Sequence, residues 1–325
     1  MQFQTKALYN LLRLNTSDED ENLEEWQIED LRLCSDEELF HRFFALEIPL
    51  SKEQFLTLGN EFDTPEDMAE ALSEDGNNPQ KHDQIYLIIF ELWRRFLPEK
   101  QTLSIFCDEL DIQIYLYDQG TVESDENIQD ALANLEEILD ENVDMGVEPS
   151  GAFQSLSEYL AHDLESFIFD YTAEQIDSGY ETYAKELLEG FYPYMSDLKW
   201  FDFLRATVIS SQNSEEANAI LRIVVDELKE TPDIDLQMEI LQFLVHSGDP
   251  ELFVKLVKMT TNLLQTEEDF SEILEIVAEY YHRLDKEELS QKIEGIMERR
   301  TRKAPGSALK KEDPDLDAFT SLVIP

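Results

Sequence analysis

The fold is decided by two stretches, SEEANAILRIVVDELKE at 214–230 and TEEDFSEILEIVAEYYHR at 266–283. In the first, Ile220, Leu221, Val224, Val225 and Leu228 recur at steps of three and four. In the second, Phe270, Ile273, Leu274, Val277 and Tyr281 do the same. That spacing puts each set on one face of a helix. Neither helix can bury its stripe alone, so stacked neighbours must cover it.

Working outward, residues suited to cap helix N-termini fall at Ser196, Ser214, Thr231, Asp249, Thr266 and Asp285. Successive intervals, by subtraction, are 18, 17, 18, 17 and 19 residues. Every second cap is therefore 35 or 36 residues apart, the period of stacked antiparallel helix pairs. A closed bundle of evenly sized helices gives a similar beat. The packing of the helix near 196 decides between them: on the helix near 231 it makes an array, on the helix near 266 a closed bundle.

On these residues, about 196–302, the chain resembles the α-solenoid class, the tetratricopeptide and HEAT-like helical repeats. The period suits the former, and the turn Ser247-Gly248-Asp249-Pro250-Glu251 suits the latter. The Trp…Leu-Gly…Tyr…Ala…Phe series of tetratricopeptides does not occur. The resemblance thus implies an architecture and leaves peptide-binding positions undefined.

Upstream, the pattern stays helical but loses its regularity. Residues 3–14 form an amphipathic stretch through Phe3, Ala7, Leu8, Leu11 and Leu12, and an acidic run follows from Asp18 to Glu25. Ser35 with Glu38 and Ser51 with Gln54 have the spacing of capping boxes. Thr64-Pro65 with Asp67 places proline at a first helical position, where its missing N–H is harmless. Helices are expected over about 80–97, 102–118 and 125–140. Ile112–Tyr117 alternates in strand-like fashion and is the stretch most able to break an all-α reading. The loop Met145–Gly151 is the central candidate boundary. Residues 153–203 are crowded with aromatics, which read as core or as a groove for a partner.

The expected fold is all-α: an irregular helical N-terminal half, then an antiparallel helix-hairpin array of α-solenoid type. Five segments are expected. They are 1–34, a short helix and acidic linker; 35–148, a helical domain; 149–195, aromatic-rich helices; 196–302, the repeat; and 303–325, a flexible basic tail with an apolar end.

Charge sets the functional expectation. The chain has 325 residues with 73 acids and 25 bases, a net charge of -48. Such a surface repels nucleic-acid phosphates and anionic membranes and attracts basic proteins. Between Lys100 and Lys185 there is no Lys or Arg, while the 84 intervening residues hold 21 acids. These helices forgo the usual i,i+4 ion pairs, worth about 0.2–0.5 kcal/mol each. The expected function is a non-enzymatic adaptor, scaffold or chaperone-like factor for a basic protein partner, with no cofactor. Two alternatives are a metal-dependent enzyme with a helical di-metal carboxylate site and an acidic nucleic-acid mimic. Carboxylates expected to steer a partner are Glu123, Asp125, Glu126, Asp130, Glu136, Glu137, Asp140 and Glu141. Tyr183, Tyr192 and Trp200 are the expected aromatic anchors. In the tail, Arg299, Arg300, Arg302 and Lys303 with Phe319 and Val323 are expected to dock on the protein's own acidic body or on a second copy, allowing self-association.

No phosphate-binding glycine loop, Gly-x-Ser-x-Gly elbow or His-Glu-x-x-His motif is present. Glu38-x-x-His41 and Glu279-x-x-His282 have the spacing of di-metal helices. Asp18-x-Asp20-x-Asn22 with Glu29 has that of a calcium loop, but Leu23 stands where glycine is needed. Cys34 and Cys107 are expected to be buried free thiols. Met1–Lys6 has no basic segment leading into an apolar run, and the apolar stretch Ile85–Phe90 is too short to span a bilayer. A cytoplasmic location is the expectation.

Overall fold

The structure, a computed structural model, describes residues 26, 29–73, 78–121, 126–247 and 249–323. It is 74% helical, and among the described residues there is no strand. The chain divides into two compact units, 1–168 with 193–195, and 169–192 with 196–325. The division falls inside one helix. It does not fall at the loop Met145–Gly151, because the helices flanking that loop pack on each other. The amphipathic stretch 3–14, the acidic run 18–25, Glu123 and Asp125 lie outside the described residues.

The first unit is built around α4. Its helices are α1 (Asp36–Ala45), α2 (Lys52–Gly59), α3 (Pro65–Leu72), α4 (Pro79–Phe96), α5 (Leu103–Asp118), α6 (Glu126–Asp144) and α7 (Pro149–Ser157). Local chemistry fixes their starts. Ser51 and Gln54 complete a reciprocal capping box, and the Thr64 hydroxyl accepts the Asp67 N–H ahead of Pro65. At α1 only half the expected box forms: Ser35 accepts from Glu38 N–H, but the Glu38 carboxylate turns to Arg42, 2.9 Å away. Ile85–Phe90, Leu92 and Trp93 of α4 are buried, and α1 and α3 pack against this helix. Ile112–Tyr117 lies within α5. Leu103, Phe106, Cys107, Leu110 and Ile114 make a buried helical stripe there, which overrides the short alternation. Among the described residues, no helix is long and apolar enough to cross a membrane.

In the second unit, α8 (Leu164–Asp177, which begins in the first) is followed by a series of hairpins. These comprise α9 (Glu181–Phe191), α10 (Leu198–Ser210), α11 (Ser214–Glu227), α12 (Ile234–Ser247), α13 (Pro250–Thr261), α14 (Glu267–Arg283) and α15 (Glu287–Arg300). α10 packs on α11, α12 on α13 and α14 on α15, while α10 touches α12 and α12 touches α14. Helices packed on their neighbours in this order match a helical-repeat architecture. We call α10, α12 and α14 the first row and α11, α13 and α15 the second.

The expected beat is present, with four shifts: Ser196 and Ser214 give way to their neighbours Asp197 and Asn213 as the caps of α10 and α11, and two later caps also move. Thr231 gives way to Asp233, whose carboxylate accepts the Leu236 N–H. Asp285 does not start α15; it sits at φ 55 just past the end of α14, a left-handed position that Asp tolerates better than most residues. Asp249 and Thr266 cap α13 and α14 as expected.

The C-terminal segment departs from expectation. Residues 301–313 are held in turns, and α16 (Pro314–Val323) packs on α13 and α15. The physical reason is the start of α14. First-turn N–H groups have no partner inside their own helix. Here Glu267 N–H donates to the Ser307 carbonyl (2.9 Å) and Glu268 N–H to that of Pro305 (3.0 Å). The segment is an ordered strap rather than a flexible linker.

Candidate functional site

Among the described residues two acidic faces stand out, one in each unit. On α6, Glu126, Asp130, Glu137, Asp140 and Glu141 are exposed, and Glu136 is half-buried at their edge. Ile128, Leu132, Leu135, Ile138 and Leu139 fill the opposite side. Burial and the neighbouring Asp140 push the Glu136 carboxyl up, and Asp140 accepts a hydrogen bond from Tyr194 Oη.

The second face was not singled out by sequence. It joins Asp170 and Asp177 of α8, Asp235 and Glu239 of α12, and Asp269 and Glu272 of α14. Partial desolvation raises the Glu239 carboxyl, and so do Asp177 and Asp170. Partial desolvation also raises Glu272, aided by Glu239, Asp235 and Asp269, against a hydrogen bond from Gln242 at 3.4 Å. Burial and neighbouring carboxylates thus raise Glu239 and Glu272, whereas Asp269, despite its partial burial, is held low by the Gln265 and Thr266 N–H groups it accepts. Like charges placed so close destabilise the fold unless something cationic covers them.

The expected aromatic anchors are used within the protein. Trp200 meets Phe169 edge-on at 4.8 Å between ring centroids, and its Nε1 donates to Asp233 (2.9 Å). Tyr183 packs edge-on against Tyr171. Tyr192 donates to Asp202 (3.2 Å) and carries the Arg205 guanidinium over its ring at 4.8 Å. All three remain half-buried, and Tyr192 also lines a cavity.

The structure divides the tail residues. Arg300 is 5% exposed and donates to both oxygens of Glu267 (2.6 and 2.9 Å) and to Asp313 (2.8 Å). Arg299 reaches Asp315 at 2.6 Å, and Lys303 reaches Glu267 and Asp313. Arg302 is exposed. Phe319 and Val323 are buried, Phe319 against Phe270. The counter-charges of the basic run therefore lie on α14, in the strap itself and in the first turn of α16.

The calcium-loop candidates Asp18, Asp20 and Asn22 lie outside the described residues, and the carboxylates of the two Glu-x-x-His motifs have local partners. Glu38 bonds Arg42, while Glu279 pairs with His246 and His282 with Glu287. Among the described residues, the one group close enough to share a cation is Glu29, Cys34 and Glu38. Arg42 already bonds Glu29 (2.6 and 2.7 Å), Glu38 and the Cys34 sulfur, so a guanidinium supplies the positive charge. Elsewhere, buried Asp111 accepts the Ala161 and His162 N–H groups and meets His162 Nδ1 at 2.8 Å. This resembles half of a catalytic dyad. The nearby buried Cys107 is no nucleophile, because burial and the acids Asp111 and Asp108 push its thiol far up. Both cysteines are free and buried.

The chain matches no family model, no curated protein and no solved structure. The functional reading therefore rests on its own geometry.

The carboxyl shifts fix a pH response. Burial raises Glu66, Glu109 and Glu136 in the first unit, and Glu239 and Glu272 are raised in the second, all from an ordinary 4.5. Each favours the folded state when protonated, a contribution complete below 4.5 and lost as pH rises through the raised value. Asp313 is held at about 2 by Arg300, the Asp315 N–H and Lys303, despite its burial. Its contribution is present above the ordinary 3.8 and lost as pH falls towards about 2. The melting temperature should rise as pH is lowered from 7 towards about 5 and fall again below about 4. A scan by circular dichroism checks this. A melting temperature that falls steadily from pH 7 downward contradicts it.

Proposed function

We propose that this chain is a non-enzymatic helical-repeat interaction protein, tetratricopeptide- or HEAT-like in architecture only, that binds a basic protein segment. The binding surface is the carboxylate strip along α8, α12 and α14. One observation supports the reading: Glu239 and Glu272 are raised by partial burial and by the carboxylates of neighbouring helices, with Gln242 as the neutral donor beside them. A surface of this kind gains most from an arginine- or lysine-rich partner, which relieves repulsion as it forms charge-assisted hydrogen bonds. Electrostatic complementarity then speeds encounter and rejects acidic competitors.

The test is titration with a fluorescent arginine-rich peptide at about 0.1 M salt, where the Debye length is about 10 Å. One variant carries Asp177→Asn, Asp235→Asn, Glu239→Gln and Glu272→Gln. A control neutralises four exposed acids at α11 instead, Glu215, Glu216, Glu227 and Glu230. Both lose the same total charge. The strip variant should bind about tenfold more weakly or worse, about 1.4 kcal/mol, while the control stays near the wild type. Equal losses in the two variants would mean that bulk charge alone attracts the peptide.

A further inference from the structure

The C-terminal helix shows what the second-row side of the array accepts. α16 lies against α13, α14 and α15. Phe319 meets Phe270 edge-on with centroids 5.7 Å apart, and the Leu322 carbonyl accepts from Tyr281 Oη (3.0 Å). Asp313 and Asp315 reach Arg300 at the end of α15. The seat is an apolar groove with a cation at its rim.

The same helix pair occurs earlier in the chain. The caps Asp197 and Thr266 are by subtraction 69 positions apart. At that offset several buried positions coincide, Leu187 with Leu256, Leu188 with Val257, Phe201 with Phe270, and Val208 with Val277, while buried Phe203 and Ala206 fall on exposed Glu272 and Glu275. α9 and α10 are therefore the repeat equivalents of α13 and α14. Between α9 and α10 lies a cavity of about 420 Å³, with Leu188, Val208 and Ile209 as its apolar part. On α10, Arg205, Val208 and Ile209 share one helix face with Phe201, and Gln212 follows just past the helix end. Phe201 and Gln212 are the counterparts of Phe270 and Tyr281, which touch α16.

Three of its lining residues change charge at that offset. Lys185 stands where α13 has Val254, Arg205 where α14 has Leu274, and Glu189 where α13 has Lys258. The first two replace an apolar side chain with a cation, and the third moves the acid to the rim beside Lys185. Arg205 is held ready, over the Tyr192 ring at 4.8 Å with Asp202 at 2.8 Å. Arg300 lies over Phe270 in the filled seat in the same manner, at 4.7 Å. Glu189, also in the lining, makes a longer exposed pair with Lys185 at 3.6 Å.

We infer that the α9–α10 cavity is a docking site for an amphipathic helix of a partner protein, one carrying carboxylates beside an apolar face. Its apolar side chains enter over Leu188, Val208 and Ile209, and its carboxylates meet Arg205 and Lys185. This is helix-in-groove recognition with charge-assisted anchoring. The site has the opposite charge preference to the acidic strip and stands whether or not that strip binds a basic partner.

The probe is a fluorescent peptide with the sequence of residues 312–325, EDPDLDAFTSLVIP, titrated into the full chain and read by anisotropy. Saturable binding is expected. It should weaken about tenfold or more in a Lys185→Glu/Arg205→Glu double variant and by an intermediate amount in Lys185→Gln, a single change at an exposed side chain. Phe319→Ala, which loosens α16 from its own seat, should leave the affinity unchanged. The inference is overturned by no saturable binding, by binding indifferent to the double charge reversal, or by binding tightened by Phe319→Ala, which would place the peptide in the α16 seat. Displacement of the peptide by millimolar succinate would assign the cavity to a small dicarboxylic acid instead and would equally overturn it.

Discussion

Replacing Arg300 with alanine is expected to destabilise the C-terminal array by about 3–5 kcal/mol, the usual effect of breaking a buried ion pair from one side. Arg300 is 5% exposed, and its guanidinium makes hydrogen bonds to Glu267 and Asp313, both nearly buried. Removing it leaves two carboxylates with only Lys303 to answer them. The strap 301–313 should then loosen, releasing the acceptors that cap the first turn of α14. Hydrogen exchange should speed up in α14 and α16 together. Arg300→Lys should restore only part of the loss, because an ammonium cannot reproduce the forked contact with Glu267. A loss under about 1 kcal/mol, the range of exposed ion pairs, would mean that the triad is solvated and the strap is not fixed by it.

Trp93→Ala should have an effect of similar size in the first unit, about 3–5 kcal/mol, as for other large-to-small changes of buried aromatics. Trp93 is 0% exposed on α4, and its Nε1 donates to the Lys100 carbonyl (3.2 Å). Lys100 in turn lies over the indole at 5.6 Å and donates to the carbonyls of Gly59 and Phe62. Alanine would leave a cavity and also unfasten the join between α4 and the end of α2. Trp93→Phe retains most of the volume but lacks the indole N–H, so it should recover much of the stability. Urea unfolding with the amides of α2–α4 as the probe checks both variants. If Phe and Ala are equally damaging, the Nε1 bond matters more than the packed volume.

Much of the fold was legible because its causes are local. Apolar stripes at steps of three and four, Thr64-Pro65, Ser51 with Gln54 and the cap Thr266 each act within one or two helical turns, so they can be read along the chain. The strap was not legible. Arg299, Arg300, Arg302 and Lys303 look like a solvated basic run until α16 folds back and places Asp313 beside Glu267, 46 positions away by subtraction. Asp285 failed as a cap for a related reason: a left-handed residue ending one helix and a cap starting the next have the same side-chain chemistry.

The candidate site was only half legible. The acid-rich, base-free run 101–184 was visible by counting, and α6 does present one acidic face. The strip across α8, α12 and α14 was hidden. In a chain with 73 acids, nothing along the sequence marks Glu239 and Glu272 as neighbours of each other's repulsion. Only the stacking of first-row helices brings them together. The helical beat itself foretold that stacking, so the signal was the register of acids within each first-row helix.

The account's central claim is that this strip, rather than the total charge, selects a basic partner. Hydrogen exchange of the full chain with and without the arginine-rich peptide tests it most directly. Slowed exchange concentrated in α8, α12 and α14 is the predicted result. Slowing that falls mainly on α6, or is spread evenly over every acidic helix, would contradict it.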